Sequence, residues 1–540
     1  VSTSAAATQH IPEYFNIAQA CTEPDLTPFD ADQTAIIVDS GDSVRQLSYR
    51  ELASQTNQLA NVLKALGCER GDRVMLCLPN CIEFPVAFFG TLKLGAIAVP
   101  SSMLLTGDEL NYLATDSGAR MLITTPEHWR RLAAFAKPSH CVTAVILVSA
   151  DNTLLPDNQA QLHDWHTLID NAAELFDGCR TRADEPAYLV YTSGTTGYPK
   201  GVLHAHRALL GRLPAAQRWF DYDSAQVDRI LHSGKFNWTY VLGTALMDPL
   251  LLGKTVVVHE GKTEAGTWPI LIAKHRCTIF IGVPTLYRQI LQKTDFSKQD
   301  VPSLRYCMCA GEHLSDELYH AWQDRFGLSI YEAIGMSECS YYLSQHPTHP
   351  LKPGSAGFPQ PGHKVFLLDE NLLPVPDNQE GMLCIGLDDP GLFLEYWNLP
   401  KVTDASRKDN MFLTGDYAYR DNEGYFWFLG RKDDLINSFG YRISPHEIER
   451  VLKSHPDVSD CVVLEESVGP DKSIVVACLI AHHNASINKA GLMDYAQAHL
   501  AKYKTPKKLY VMQHFPRTAN GKVLRKKLIT MLPELSNDDA

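Results

Sequence analysis

No pair of cysteines in this chain carries the spacing of a zinc site or of a disulfide framework. The 13 cysteines are an odd number, scattered without CxxC pairs or a histidine at metal-ligand spacing. Cys77 and Cys81 in CLPNC, and Cys307 and Cys309 in CMC, read as buried thiols, because free cysteine is among the most buried residue types. Free thiols suit a reducing compartment, so a cytoplasmic location is expected. A surplus of positive charge is also missing: 49 Lys+Arg stand against 62 Asp+Glu, a net charge of −13. A field of that sign repels polyanions, which excludes a general nucleic-acid or anionic-membrane binder but not a local basic pocket for a nucleotide. Uninterrupted apolar runs are short. FPVAFFGTLKLGAIAVP is broken by Lys93 and by glycines, too short to span a bilayer, and reads as a buried helix running into a strand. The opening VSTSAAATQHIPEYF has neither the basic start nor the apolar stretch of a signal peptide. Internal repeats and low-complexity segments are lacking as well.

What is present describes an ordinary globular chain. Its 540 residues are 45% hydrophobic and 21% charged, enough for more than one core. Apolar runs beginning at Arg73, Arg120, Ala144, Thr255 and Thr278 are predicted strands. Between such runs lie stretches of helical period, such as YRELASQTNQLANVLKALG from Tyr49, closed by a glycine. Alternating β and α elements predict an α/β fold with mainly parallel sheets flanked by helices. After Phe426–Asp434 the texture changes. A helix is predicted with Ser444 as N-cap, Pro445 in its first turn and Glu447 closing a capping box. Two strands, a helix near residues 492–503 and a basic tail follow, in which Arg525, Lys526 and Lys527 read as solvated charge. The expected division is a large domain over residues 1–431 and a small α+β domain over residues 432–540, joined by a hinge.

YTSGTTGYPKG, from Tyr191 to Gly201, sits directly behind the apolar run Ala187–Val190. Gly194 and Gly197 allow positive φ and close approach of backbone to an anion. Thr192, Ser193, Thr195 and Thr196 supply hydroxyl donors beside exposed N–H groups, and Lys200 adds a point charge. Pro199 stands where a Walker A loop needs glycine. From composition alone, a phosphate-gripping loop and a plain Gly/Thr-rich surface turn both remain open.

The loop resembles the signature of the adenylate-forming (ANL) superfamily, which includes acyl- and aryl-CoA synthetases. Its other motifs follow in order: GMSE (Gly335 to Glu338), TGD (Thr414 to Asp416), GYFWFLGRKDD and PRTANGKVLRK. The resemblance covers nearly the whole chain and is nearest to benzoate-type and medium-chain acyl-CoA ligases. It implies ATP, Mg²⁺ and CoA. It also implies that Glu338 holds Mg²⁺, Ser337 meets the α-phosphate and Asp416 takes the ribose hydroxyls, with Arg431 beside them. Gly311, Glu312, Ala333 and Ile334 would wall the adenine, with Phe428 adding surface; core packing competes for Ile334 and Phe428. Lys522 resembles the catalytic lysine that contacts the carboxylate and α-phosphate. Asp433 resembles the hinge residue. Arg442 and Gly440 resemble the residues presented for thiol attack after the small domain rotates, Gly440 leaving room for a pantetheine arm.

The same resemblance places the acyl pocket around Phe236, Asn237, Trp238, Tyr240, Gly335 and Cys339, with Tyr287 a weaker member. Aromatic core packing is the competing reading of these residues. Gly335 stands where acetate-specific relatives carry tryptophan, so a deeper pocket is expected. The implied function is an AMP-forming acid–CoA ligase for a hydrophobic aryl or medium-chain acid, as a monomer or homodimer with no nucleic-acid partner and no membrane span. A stand-alone enzyme loading a carrier protein, and a non-catalytic nucleotide sensor, are the alternatives weighed.

Overall fold

Helix Tyr49–Ala65 shows how directly this sequence writes its elements. Ser48 accepts from the backbone of Glu51 while Glu51 reaches back to the Ser48 backbone, a capping box, and its apolar face is buried. Gly67 follows at φ +84°, a left-handed stop that costs glycine nothing. The helix Glu83–Lys93 is buried along its whole length and runs into strand Ile97–Pro100. Lys93, the charge that interrupts it, is 1% exposed and ion-paired at 2.6 Å with Glu23.

The computed structural model describes residues 10–23, 30–134, 141–148, 161–192, 199–223, 225–311, 314–431, 436–438, 441–469, 472–482, 486–500, 504–517 and 523–535. Within them the chain is mixed α/β, with a large N-terminal part built on sheets and a smaller C-terminal part. A nine-stranded sheet is parallel through its middle and antiparallel at both ends. An eight-stranded sheet runs parallel from Pro186–Thr192 outward to Gln161–Asp164. On its other side Pro186–Thr192 and Lys200–Ala205 form an antiparallel hairpin, and the short strand Glu395–Tyr396 closes that edge. The strands expected from Arg73, Arg120, Ala144, Thr255 and Thr278 are present, in these two sheets. A five-stranded sheet carries Met411–Arg420 against Phe426–Arg431.

Beyond residue 435 the apolar clusters are self-contained. Ile436, Ile443, Ile448, Val463 and Leu479 pack in one, and Val462, Tyr510, Phe515 and Leu528 in another. They fill the two sides of a sheet formed by Val458–Gly469, Lys472–Ala481 and Lys508–Val511. Helix Pro445–Lys453 forms where expected. The Ser444 hydroxyl donates to the Leu429 carbonyl, tying this helix to the end of the large part. The Phe428 ring lies 5.6 Å from His446 at the same junction. Arg525 corrects the reading of a solvated tail: its guanidinium pairs with buried Glu449. Tyr287 is a core residue, fully buried, its hydroxyl donating to the carbonyls of Phe280 and Met308.

Candidate active site

The β-hairpin that carries the glycine-threonine loop has Thr192 paired opposite Lys200 at its tip. Ser193, Gly194, Thr195, Thr196 and Gly197 lie outside the described residues, as do Glu312, Asp433, Gly440 and Lys522. Both roots of the loop are tethered. Tyr191 donates to Asp116 at 2.6 Å, and the Lys200 ammonium lies 5.4 Å from the Tyr396 ring centre. A residue just past the hairpin edge joins in, since Trp397 Nε1 donates to the Asp116 carbonyl at 2.9 Å.

Ser337 and Glu338 occupy the turn between the antiparallel strands Ile330–Met336 and Ser340–Ser344. His204 Nε2 donates to the Ser337 carbonyl at 2.7 Å, which fixes the tautomer. Burial pushes the His204 imidazole down to about 3, so it is neutral at physiological pH. The Ser337 hydroxyl lies 3.4 Å from that of Thr239. Tyr396 donates to Glu338 Oε1 at 2.7 Å, and the Phe393 N–H donates to the Glu338 carbonyl at 2.8 Å. Burial pushes the Glu338 carboxyl above the usual range, opposed by the Tyr396 hydroxyl and by the Arg431 charge. A carboxylate flanked by hydroxyls is an all-oxygen donor set, which fits a hard cation such as Mg²⁺.

Asp416 and Arg431 face each other across two antiparallel strands. Arg431 Nε donates to Asp416 Oδ1 at 2.9 Å, and Tyr342 donates to Oδ2 at 2.8 Å. Each carboxylate oxygen keeps a second lone pair, so an anchored Asp416 can still accept from a diol. The Glu338 carboxyl lies within electrostatic reach of Arg431, which favours its charge, and of Asp416, which opposes it. Tyr342, Tyr396, His204 and Thr239 were not picked out from the sequence. They stand outside the motifs: strand pairing brings in Tyr342, Tyr396 and His204, and the short helix Thr239–Val241 brings in Thr239.

The adenine and acyl candidates divide. Gly311 has φ +90°, and a Cβ there would meet the Trp238 ring at 3.4 Å, so the two form one wall. Ala333 is buried and Ile334 half-buried on the adjoining strand. Phe428 faces His446 of the small part. Arg442 lies in strand Tyr441–Ile443, opposite Asn437. Phe236 is 1% exposed and stacks on Phe84 at 5.2 Å, so the core takes up its ring. Asn237 and Trp238 are half-buried, and Tyr240 sets its edge to Trp238 at 5.3 Å with its hydroxyl buried and unpartnered among the described residues. Cys339 is buried behind Glu338, its Sγ 3.7 Å from His363 Nδ1, which also lies 3.0 Å from Asp389 Oδ2. Gly335 sits at a β-bulge, where a Cβ would come within 2.1 Å of the Ser340 carbonyl oxygen. A side chain there would force the Ser340 backbone to shift.

The family model described as AMP-binding enzyme matches residues 28–397, and that described as AMP-binding enzyme C-terminal domain matches 447–522. The chain is 30% identical to the mitochondrial acyl-coenzyme A synthetase ACSM3 of Mus musculus, over 96% of this chain and 90% of that protein. It is 31% identical to a 3-hydroxybenzoate–CoA/4-hydroxybenzoate–CoA ligase of Thauera aromatica, over 93% and 94% of the two chains. Among solved structures it resembles the anthranilate CoA ligase AuaEII in complex with anthranoyl-AMP, with TM-score 0.87, 28% identity and coverage of 98% and 99%. A benzoate CoA ligase from Burkholderia xenovorans LB400 gives TM-score 0.83 at 28% identity, over 95% and 99%. With the loop hairpin, the Glu338 turn and the Asp416–Arg431 pair gathered as described, the chain belongs to the AMP-binding enzyme family, in its acyl- and aryl-CoA ligase branch.

Proposed function

We propose that this AMP-forming acid–CoA ligase acts on a hydrophobic aryl or medium-chain carboxylic acid, using the residues gathered around Glu338. Its two half-reactions join the carboxylate to the α-phosphate of ATP, releasing pyrophosphate, and then exchange AMP for the thiol of CoA. The observation that carries the site is the convergence of Glu338, Asp416 and Arg431 beside the hairpin tip. Glu338 would hold Mg²⁺, which neutralises phosphate charge when bound. Asp416, braced by Tyr342 and Arg431, takes the ribose hydroxyls. Ser337 donates to the α-phosphate, its turn held by neutral His204. Lys200 and the loop 192–197 take the departing phosphates, and Lys522 meets the carboxylate and α-phosphate as charge builds in the transition state. Catalysis here is positioning and electrostatics, with no covalent enzyme nucleophile.

Several features support the finer readings. Trp238 against Gly311 provides an aromatic wall suited to an aryl group. The separate apolar clusters beyond residue 435 support a small domain over residues 432–540, turning about Asp433 and bringing Gly440 and Arg442 to the thiol step. All 13 cysteines are free, in keeping with a reducing cytoplasm, and no described helix is long and apolar enough to cross a membrane. ATP–pyrophosphate exchange across a panel of aryl and medium-chain acids, followed by product analysis with CoA, tests the reading. Exchange with benzoate-like or C6–C10 acids and acyl-CoA formation are expected. Acyl-AMP that accumulates and is never consumed by CoA would transfer the second step to a carrier protein.

A further inference from the structure

Tyr396 stands where three distant segments meet. Its strand pairs with Lys200–Ala205, Tyr396 opposite Val202, while the neighbouring Trp397 N–H donates to the Gly201 carbonyl at 2.8 Å. The Tyr396 backbone N–H donates to Thr403 Oγ1 at 2.9 Å, and the Phe393 ring packs 4.8 Å away. At 8% exposure the side chain is therefore held in one pose. From that pose the hydroxyl reaches Glu338 Oε1 at 2.7 Å, and the ring face lies under Lys200 Nζ at 5.4 Å. One phenol thus meets both a carboxylate and an ammonium from segments far apart in the chain.

We propose that Tyr396 is a positioning residue for the phosphate site. It occupies one oxygen of Glu338 so that the other is turned to the cation, and it carries Lys200 alongside on its ring. This rests on the reading of Glu338 as the magnesium carboxylate. A carboxylate rotates freely unless something fixes it, and outer hydrogen bonds of this kind typically govern metal affinity ten- to a hundredfold. The ring contact adds an electrostatic hold on Lys200 that survives removal of the hydroxyl. The hydroxyl and the ring therefore have separable effects. A tyrosine serving only to fill the core would show neither.

The test uses the full chain with ATP and Mn²⁺ as the probe, bound metal being read by electron paramagnetic resonance. Thermal unfolding confirms that each variant is folded. Tyr396→Phe should bind Mn²⁺·ATP about tenfold or more weakly, and excess Mg²⁺ should restore its pyrophosphate exchange, an effect on affinity and not on turnover. Lys200→Met should weaken ATP binding while leaving the metal dependence near wild type, and Tyr396→Leu should show both defects. Unchanged Mn²⁺ affinity in Tyr396→Phe, with affinity lost in Glu338→Gln, overturns the proposal and leaves the reading of Glu338 standing. Wild-type Mn²⁺ affinity in Glu338→Gln overturns that reading, and the role of Tyr396 with it.

Discussion

Arg525 and Glu449 form an ion pair beneath the surface of the small part, joining the start of its last helix to its first. Arg525 also donates to the Val463 carbonyl at 2.7 Å, and the Val463 N–H donates to Glu449 Oε1 at 2.8 Å, so the pair clamps strand Val458–Gly469 between two helices. Burial alone would raise the Glu449 carboxyl, but Arg525, His446 and Lys453 outweigh it and hold it well below the usual range. Glu449→Ala should cost about 3–5 kcal/mol, because breaking such a pair strands the remaining charge. Denaturant unfolding followed by a probe confined to the small part measures this. The depressed carboxyl contributes stability above its unfolded value near ~4.3 and loses it as pH falls below, so acid should melt the small part of the wild type progressively and the variant with a smaller pH dependence.

Gly335→Ala separates two accounts of the same glycine. A Cβ would press within 2.1 Å of the Ser340 carbonyl oxygen, so the turn bearing Ser337 and Glu338 must move. Adenylation by this variant should fall by about tenfold or more, as small misplacements of reacting groups do, while its relative kcat/KM across acids stays as in the wild type. A changed acid preference with undiminished kcat would mean that pocket depth governs the position.

Tyr342→Phe removes one of the two side-chain donors that anchor Asp416. The expected loss is about 1 kcal/mol of stability. KM for ATP should rise, with little change in KM for the acid. Asp416→Ala should be worse on both counts, since it strands the Tyr342 hydroxyl and the Arg431 guanidinium. Steady-state kinetics with each substrate varied in turn, beside thermal melts, checks both.

Lys522→Ala should block acyl-AMP formation yet still convert supplied acyl-AMP to thioester. Equal loss of the two steps would argue against a small domain that withdraws the lysine before thiol attack.

Asp39, at the end of strand Thr34–Asp39, accepts from Lys274 at 2.7 Å and from His275 at 2.6 Å. Burial works against its charge, but these partners hold its carboxyl at about 2. It therefore contributes stability above its unfolded value near ~3.9, lost as pH falls toward 2. Asp39→Asn should be less stable than wild type at pH 7, with the gap closing below about pH 4 in acid-unfolding curves.

Most of the framework was legible because local chemistry wrote it: the helical period and closing glycine of the stretch from Tyr49, the apolar runs at Arg73 and Thr255, and the ordered motifs ending at Lys522. The anchors behind the motifs were not. Tyr342 and Tyr396 look like any core aromatic, and only strand register sets their hydroxyls against Asp416 and Glu338. Arg525 looked like tail charge because its partner Glu449 lies 76 residues earlier. Phe236 stayed open between pocket wall and core because alternating aromatics suit both equally, and its buried ring stacks on Phe84. Gly335 could be read from what relatives carry there, but how near the Ser340 backbone comes to it could not.

The strand that closes the loop hairpin is made almost two hundred residues after the hairpin itself. Until Tyr396 has left the ribosome, Lys200–Ala205 is an open edge and Glu338 has no hydroxyl to turn it. Asp416 and Arg431 are made later still, so the parts of the site come together only after most of the chain has been synthesised.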